Sequence, residues 1–425
     1  MSRETNTPER TLLLSLFEAG LKRVAPDVCL PPHVPEPQTG GRTLVLGAGK
    51  AAAAMADAFA RTYSGPFEGL VVTRYGHGIG RTIPGIEVLE ASHPVPDDMS
   101  QQAAQRMLKL AGGLTKGDRL VFLASGGGSS LMSLPAPGLP FMAKQGLMKH
   151  LLHSGATISQ INCVRKHLSA IKGGRLALAA GQAEVLTYVI SDVPHDTAHD
   201  VASGPTVADP TTLEHAADIL TRYRAPDRAL MEALLNNAPN ETVKTAPPTW
   251  HTRLIATGHD CLKAAEQAAV ASGYDVVNLG ADLEGDAASL GAEHATLALK
   301  LQAEGKRVIL LSGGETSVKV TNAAGRGGCN MTYALSLALR LGGASGISAL
   351  ACDTDGIDGS EDAAGAYMDN ITLSRAAKKG HDAKKALDEN NSYMFFEATG
   401  GLISTGPTRT NVNDFRAILI GPRAA

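Results

Sequence analysis

From Arg42 onward the chain repeats one pattern: a short β-branched or leucine-rich run, a glycine turn, then an alanine-rich stretch of helical character. The runs TLVLG, GLVVT, IEVLEA, RLVFLAS and VLTYVISD are largely apolar, as strands buried on both faces are. Strands separated by helices imply a parallel sheet covered on both faces. A second series follows: TRLIATG, YDVVNLG, RVILLSGG, TSVKVT, GISALACD and FRAILIG. Between the two series, from Asn236 to Pro248, lies the polar, proline-containing stretch NNAPNETVKTAPP, which reads as a domain boundary. The expectation is two α/β domains, residues 1–240 and 249–425. Length agrees, because 425 residues exceed what a single hydrophobic core usually serves. Ahead of the first strand, Thr7-Pro8 opens a helix with Leu12, Leu13, Leu16, Phe17, Leu21 and Val24 at helical spacing.

Glycine is the one unusual component, with 46 residues and no Gly-X-Y period, so many turns must be tight or approach a ligand closely. Aromatic residues make up 4% and Trp250 stands alone, which leaves no stacking platform for single-stranded nucleic acid. A formal charge of -3 gives no footprint for DNA or RNA. Cys29, Cys163, Cys261, Cys329 and Cys352 form no C-x-x-C pair and read as reduced thiols. The start, MSRETNTPER, is unlike a signal peptide, and no apolar run is long enough to span a bilayer. A cytoplasmic enzyme acting on a small molecule is the expectation, with a homodimer as one option for its assembly.

In open α/β sheets ligands gather where strand ends meet helix starts, and five such ends carry chemistry. In TLVLGAGKAA, Gly47 and Gly49 belong to a relaxed dinucleotide fingerprint, G-x-G-x-x-A, which is weak evidence by itself. Lys50 at a helix start favours an anion; a surface lysine is the plainer alternative. In RLVFLASGGGSS, the run Ser125, Gly126, Gly127, Gly128, Ser129 and Ser130 offers amides and hydroxyls as a phosphate cradle, against the alternative of a flexible turn. VLTYVISDVP ends in Asp192, able to hold magnesium or take a proton, and is followed by the polar turn Ser203-Gly204. His195 and His199 lack a helical setting and read as loop residues. In the second half, Ser312, Gly313, Gly314 and Glu315 repeat the strand–glycine–hydroxyl plan. Asp353 and Asp355 lead an acidic run with Asp358, Glu361 and Asp362 that suits magnesium shared with substrate phosphates, though Glu361 and Asp362 read better as a solvent-exposed acidic turn. Glycine turns and acids in both halves are what phosphoryl transfer requires.

These motifs, in this order, resemble the class II glycerate kinases, which carry a C-terminal domain called MOFRL. The likeness rests on Ser92-His93-Pro94-Val95-Pro96-Asp97, SGGGSS, NCVRKHLS (162–169), IKGGR (171–175), SDVP, ASGPT, SGGET, DTDGIDG and GPTRTNVND (406–414). It implies ATP- and Mg²⁺-dependent phosphorylation of D-glycerate to 2-phosphoglycerate, in a cleft between a Rossmann-like three-layer N-terminal domain and a MOFRL-type α/β domain. It maps the family's active-site lysine onto Lys50, and makes Asp192, Asp353 and Asp355 candidates for magnesium or for orienting the glycerate hydroxyl. Lys172, Asn330, Asn411 and Asn413 fall in its binding motifs. An arginine must meet the glycerate carboxylate, ideally through two hydrogen bonds, and Arg165, Arg175 and Arg326 are the candidates. This chain departs at 327–332, where Cys329 stands in place of an arginine and Thr332 in place of an acid, so Arg326 is the expected substitute cation. Two rival readings are an NAD(P)H-dependent hydroxypyruvate reductase, with Arg74 after the second strand serving NADP, and a non-catalytic binder of nucleotide or organic acid.

Overall fold

A computed structural model describes residues 7–322 and 324–422. The chain divides into two compact units. The N-terminal unit holds Pro26–Ser191 and Asp196–Ile255; the C-terminal unit holds the residues up to Ala25, Asp192–His195, and those from Ala256 onward.

The N-terminal unit is built on six strands: β1 (Thr43–Ala48), β2 (Glu68–Arg74), β3 (Ile86–Ala91), β4 (Arg119–Ala124), β5 (Glu184–Ile190) and β6 (Trp250–Ala256). Their order is β3-β2-β1-β4-β5-β6, and the pairings from β3 through β5 are parallel, as expected. Chain order reverses between β1 and β4, the switch point at which such sheets open a crevice. Gly47 sits opposite Val71 and Leu123 in the register, and a Cβ there would lie 2.8 Å from the Leu123 carbonyl oxygen. Gly47 therefore serves strand packing, a correction to its expected place among the ligand-binding residues. Helices Phe141–His153, Ile158–His167, Leu213–Arg222 and Arg228–Leu235 form a separate cluster around Leu147, Leu151, Val164, Leu220 and Met231.

The C-terminal unit has a six-stranded sheet of different character. Its strands are β7 (Asp275–Asn278), β9 (Val308–Ser312), β11 (Ile347–Asp353), β12 (Gly365–Met368), β13 (Leu402–Ile403) and β14 (Asp414–Ile420), in the order β13-β12-β11-β14-β9-β7. Only β7–β9 is parallel; the other pairings are antiparallel. A separate two-stranded ladder joins β8 (Glu284–Asp286) to β10 (Glu315–Ser317), so the expected strand TSVKVT contributes only its start. The core is filled by Leu310, Tyr333, Leu337, Ile347, Phe396 and Ile418 among others.

Two boundaries differ from expectation. Helix Pro8–Val24, capped by Thr7 as the Thr-Pro start predicts, belongs to the C-terminal unit. Gly20 lets it press on helix Gly258–Ala271, where a Cβ would meet Cys261 Sγ at 2.6 Å, and Arg23 pairs with Asp260 at 2.8 Å. The run TRLIATG, expected to open the second domain, is β6 and lies beside β5. No disulfide joins the five cysteines, and among the described residues no helix is long and apolar enough to cross a membrane.

Candidate active site

In the N-terminal unit the turns after β1 and β4 lie against each other. Gly49, at φ 140°, has no room for a side chain: a Cβ would fall 2.1 Å from Ser125 Oγ. Three amides of the first turn are used internally. Lys50 N donates to Gly126 O at 2.8 Å, Ala51 N to Ser125 Oγ at 3.0 Å, and Ala52 N to Gly49 O at 3.1 Å. The amides of Lys50, Ala51 and Ala52 are thus not left for a pyrophosphate, and Gly49 and Ser125 join the two loops, a correction to their expected role as ligand contacts.

The second turn is different. Gly128 is pinned, since a Cβ would lie 2.7 Å from both Ala202 Cβ and Ala48 O. The amides of Gly126, Gly127 and Ser129 have no protein acceptor among the described residues. Two side chains flank this opening: a Cβ on Gly127 would meet the His93 ring at 3.0 Å and Lys50 Cγ at 3.4 Å. The Lys50 and His93 side chains therefore flank a turn that carries three amides without a protein acceptor among the described residues, and such a turn suits an oxyanion. His93 had been noticed only as part of a motif; its place at the carboxyl end of β3 was the available signal.

A chain of polar contacts continues from there. Ser129 Oγ lies 2.6 Å from Ser203 Oγ, Ser203 Oγ donates to Asn162 Oδ1 at 3.2 Å, and Arg165 donates to the same oxygen at 2.7 Å. Ala202, Ser203 and Gly204 all have φ between 52° and 58°. For the first two this is a left-handed conformation costing about 1–2 kcal/mol each. It persists because the turn is held on several sides: Lys172 Nζ donates to Ala202 O, Gly173 N to Ser203 O, and Gly174 N to Gly204 O. Gly204 accordingly serves through its backbone.

The arginine and lysine candidates separate cleanly. Arg175 donates to the carbonyls of Lys166, Lys172 and Asn240, so it braces the backbone and has little left for a carboxylate. Lys172 is fully buried on the carbonyls of Met132 and Ala202, and burial drives its pKa well down. Both are corrections to an expected ligand contact. Among the described residues Arg165 has Asn162 as its one hydrogen-bond acceptor, which leaves most of its donors available.

In the C-terminal unit the turn after β9 is closed. Ser312, Gly313 and Gly314 are buried. Gly313 N donates to Gly280 O, Arg416 donates to Gly313 O at 2.8 Å, and Asp414 N to Gly314 O. Leu283 passes so close to Gly314 that a Cβ there would lie 2.0 Å from its carbonyl oxygen. Contrary to expectation this turn is packing and not a phosphate cradle, and Glu315 beyond it is an exposed ladder residue of β10. Asn330 is likewise internal: its amide N–H donates to Asp358 and its Nδ2 to Asp414 at 2.6 Å. Asp358 also accepts from Met331 N, capping helix Cys329–Leu341; burial is the main reason its pKa rises to about 7, with Asp414 adding to it. Arg326 pairs with Glu361 (Nε at 3.0 Å) and lies over the Tyr393 ring. Its charge is already matched, so it does not stand in for the arginine absent at 329. A cysteine cannot supply a cation, and burial with the adjoining Asp414 and Asp358 pushes the Cys329 thiol pKa up, which keeps it neutral.

Among the described residues no three His, Cys, Asp or Glu side chains converge on a metal-sized point. Of the three expected magnesium ligands, Asp355 does not fit: it is 1% exposed and its carboxylate accepts the Ile357 amide of its own turn. Asp192 accepts from Asn411 Nδ2 at 3.0 Å. Asn411 belongs to a loop tied to the end of β11, where Thr354 Oγ1 donates to Asn413 O and accepts from Val412 N. Asp353, half-buried at the strand end, accepts the Asp355 amide. Asn411 and Asn413 thus orient a carboxylate and a loop.

Residues 12–236 match the family described as domain of unknown function DUF4147, and residues 308–414 match the MOFRL family. A putative hydroxypyruvate reductase of Agrobacterium vitis is 47% identical over 420 residues, covering 97% of this chain and 94% of that one. A glycerate 2-kinase of Pyrococcus horikoshii is 39% identical, covering 88% and 86%. The crystal structure of a glycerate kinase from Thermotoga maritima superposes with a TM-score of 0.83 at 35% identity, covering 97% of this chain and 100% of the other. With both family regions in order and relatives matched over most of their length, the chain belongs to the glycerate 2-kinase family, in which a DUF4147 domain precedes a MOFRL domain.

Proposed function

We propose that this protein transfers the γ-phosphoryl group of ATP to the secondary hydroxyl of D-glycerate, giving 2-phosphoglycerate, in the cytoplasm. The observation that carries the reading is the open turn at Gly126, Gly127 and Ser129 with Lys50 and His93 beside it. Phosphoryl transfer asks a protein mainly for positioning and for charge stabilisation of the moving group. Backbone amides and the Lys50 ammonium supply the second on the phosphate oxygens. Arg165, held by Asn162, is the arginine with donors left for an anion. Asp192 and Asp353 would hold the magnesium ion, which neutralises charge on the phosphates when bound.

The family relatives called putative hydroxypyruvate reductases raise a second reading. The occupied amides of the β1 turn speak against it, as does the fully buried Thr73, whose Oγ1 donates to Lys50 O where a ribose partner would be wanted. The deciding experiment incubates the purified protein with Mg-ATP and D-glycerate and follows the product by ³¹P NMR. A phosphorus coupled to a single proton identifies the 2-phosphate, whereas coupling to two identifies the 3-phosphate. NADPH oxidation with hydroxypyruvate, and no phosphorylated acid, would reverse the assignment.

A further inference from the structure

Beside the Gly126–Ser130 turn, the helices Phe141–His153 and Ile158–His167 wall a cavity of 520 Å³. Its lining is mixed in character: Ser129, Ser130, Lys144 and Arg165 share it with Val95, Met142 and Leu152. The three apolar side chains are 56%, 75% and 54% exposed, unusually bare for residues of their kind that lie together.

The basic residues are equally unusual. Among the described residues Lys144, 3% exposed, donates only to Leu134 O and touches no carboxylate. The hydrogen bond of Arg165 goes to the neutral Asn162, and Asp200 is the carboxylate that acts on its charge. Burial, with repulsion from Arg165 and Arg175, brings the Lys144 pKa down to about 7. Buried cations without counter-charges are costly, and proteins that retain them generally supply an anion from elsewhere. A three-carbon acid would fill a small part of this volume and would offer nothing to the apolar lining. A ligand with a flat apolar ring system at one end and a chain of anionic groups at the other satisfies both parts of the lining.

We propose that this cavity seats the nucleotide, with its base against Val95, Met142 and Leu152 and its phosphate chain running past Lys144 and Arg165 toward Ser129 and Ser130. The assignment rests on the kinase reading above and names where in the N-terminal unit the phosphoryl donor lies.

The test uses the full-length protein and the variants Met142→Glu, Leu152→Glu and Lys144→Met, with Leu178→Glu as a control. Leu178 is 61% exposed and lies outside the cavity, so the control tests added surface charge alone. ADP binding is measured by calorimetry, and KM for ATP and for D-glycerate by steady-state kinetics. The expected result is a rise of at least about tenfold in the ADP Kd and ATP KM of the three variants, with glycerate KM and the control near wild type. Because Met142 and Leu152 are exposed, their substitution tests the seat even if Lys144→Met fails to fold. Unchanged ADP binding in both glutamate variants overturns the proposal, as does a rise confined to the glycerate KM, which would give the cavity to the acid. Wild-type protein that binds ADP, loses it in the variants, yet phosphorylates no glycerate would uphold the seat and remove the kinase reading. Phosphorylation with normal variant affinities would do the reverse.

Discussion

The turn after β4 and the turn after β9 both read Ser-Gly-Gly at the end of a buried strand, yet they are used in opposite ways. At 126–129 the glycines leave three amides facing no protein acceptor, with Lys50 and His93 alongside. At 312–314 the glycines let Leu283 and the Arg416 guanidinium approach the backbone, which fills the space a ligand would need. Glycine after a strand signals that something comes close. Whether that something is a phosphate or the protein itself is decided by the neighbouring chain.

Lys50→Ala puts the largest strain on this contrast. It removes the cation from the open turn and should lower kcat by roughly 10²–10³-fold, the usual effect of deleting one preorganised charge-stabilising group. Thermal unfolding should hardly change, since the side chain is partly exposed. Near-normal turnover would detach the open turn from the chemistry.

The paired substitutions Gly314→Ala and Gly127→Ala separate packing from function. Gly314 has φ 103° and a carbonyl in the place of its Cβ, so alanine there should destabilise by on the order of 3 kcal/mol. Remaining folded enzyme should keep its ATP KM. Gly127 has φ 79° and side-chain neighbours that can yield, so alanine should disturb catalysis more than stability, read by comparing kcat/KM with the denaturation midpoint. If the two variants exchange behaviour, the functional division between the turns is wrong.

Asp358 sharpens the claim that the C-terminal acids near Cys329 are structural. Its folded pKa lies above that of an unfolded aspartate, so the folded state holds the proton more tightly. Its stabilising contribution is complete below about pH 4 and is lost as pH rises through about 7. Asp358→Asn should flatten that part of the stability profile while costing about 1 kcal/mol at low pH for one lost acceptor. Denaturant melts from pH 4 to 8 read both effects.

Much of this architecture was legible in the sequence. The five N-terminal strands, the Thr7 cap and the glycine turns followed from apolar runs, capping chemistry and punctuation. The strand at 365–368, GAYM, was not seen, because it is short and has no β-branched residue. Strand direction in the second sheet was also hidden, since a helix between two strands does not fix whether they pair side by side. The arginines show the same limit at the site. Arg165 and Arg175 are the same residue ten positions apart, and only tertiary contacts with the carbonyls of Lys166, Lys172 and Asn240 decide that Arg175 is a brace. Lys144 passed unnoticed because nothing local marks a helix lysine as buried.

The smallest effect is expected at Arg326. Its exposed pairing with Glu361 contributes little, and Arg326→Ala should leave kcat within about twofold of wild type, because its charge is taken up by Glu361 and the Tyr393 ring. A large loss of kcat would restore it as the substitute for the arginine absent at 329.

The most direct measurement is a crystal structure of the protein with a non-hydrolysable ATP analogue, Mg²⁺ and D-glycerate. The account predicts phosphate oxygens within hydrogen-bonding distance of the Gly126, Gly127 and Ser129 amides and of Lys50 Nζ. Phosphates seated instead on the Ser312–Gly314 turn, with the 126–129 amides bound to water, would contradict it.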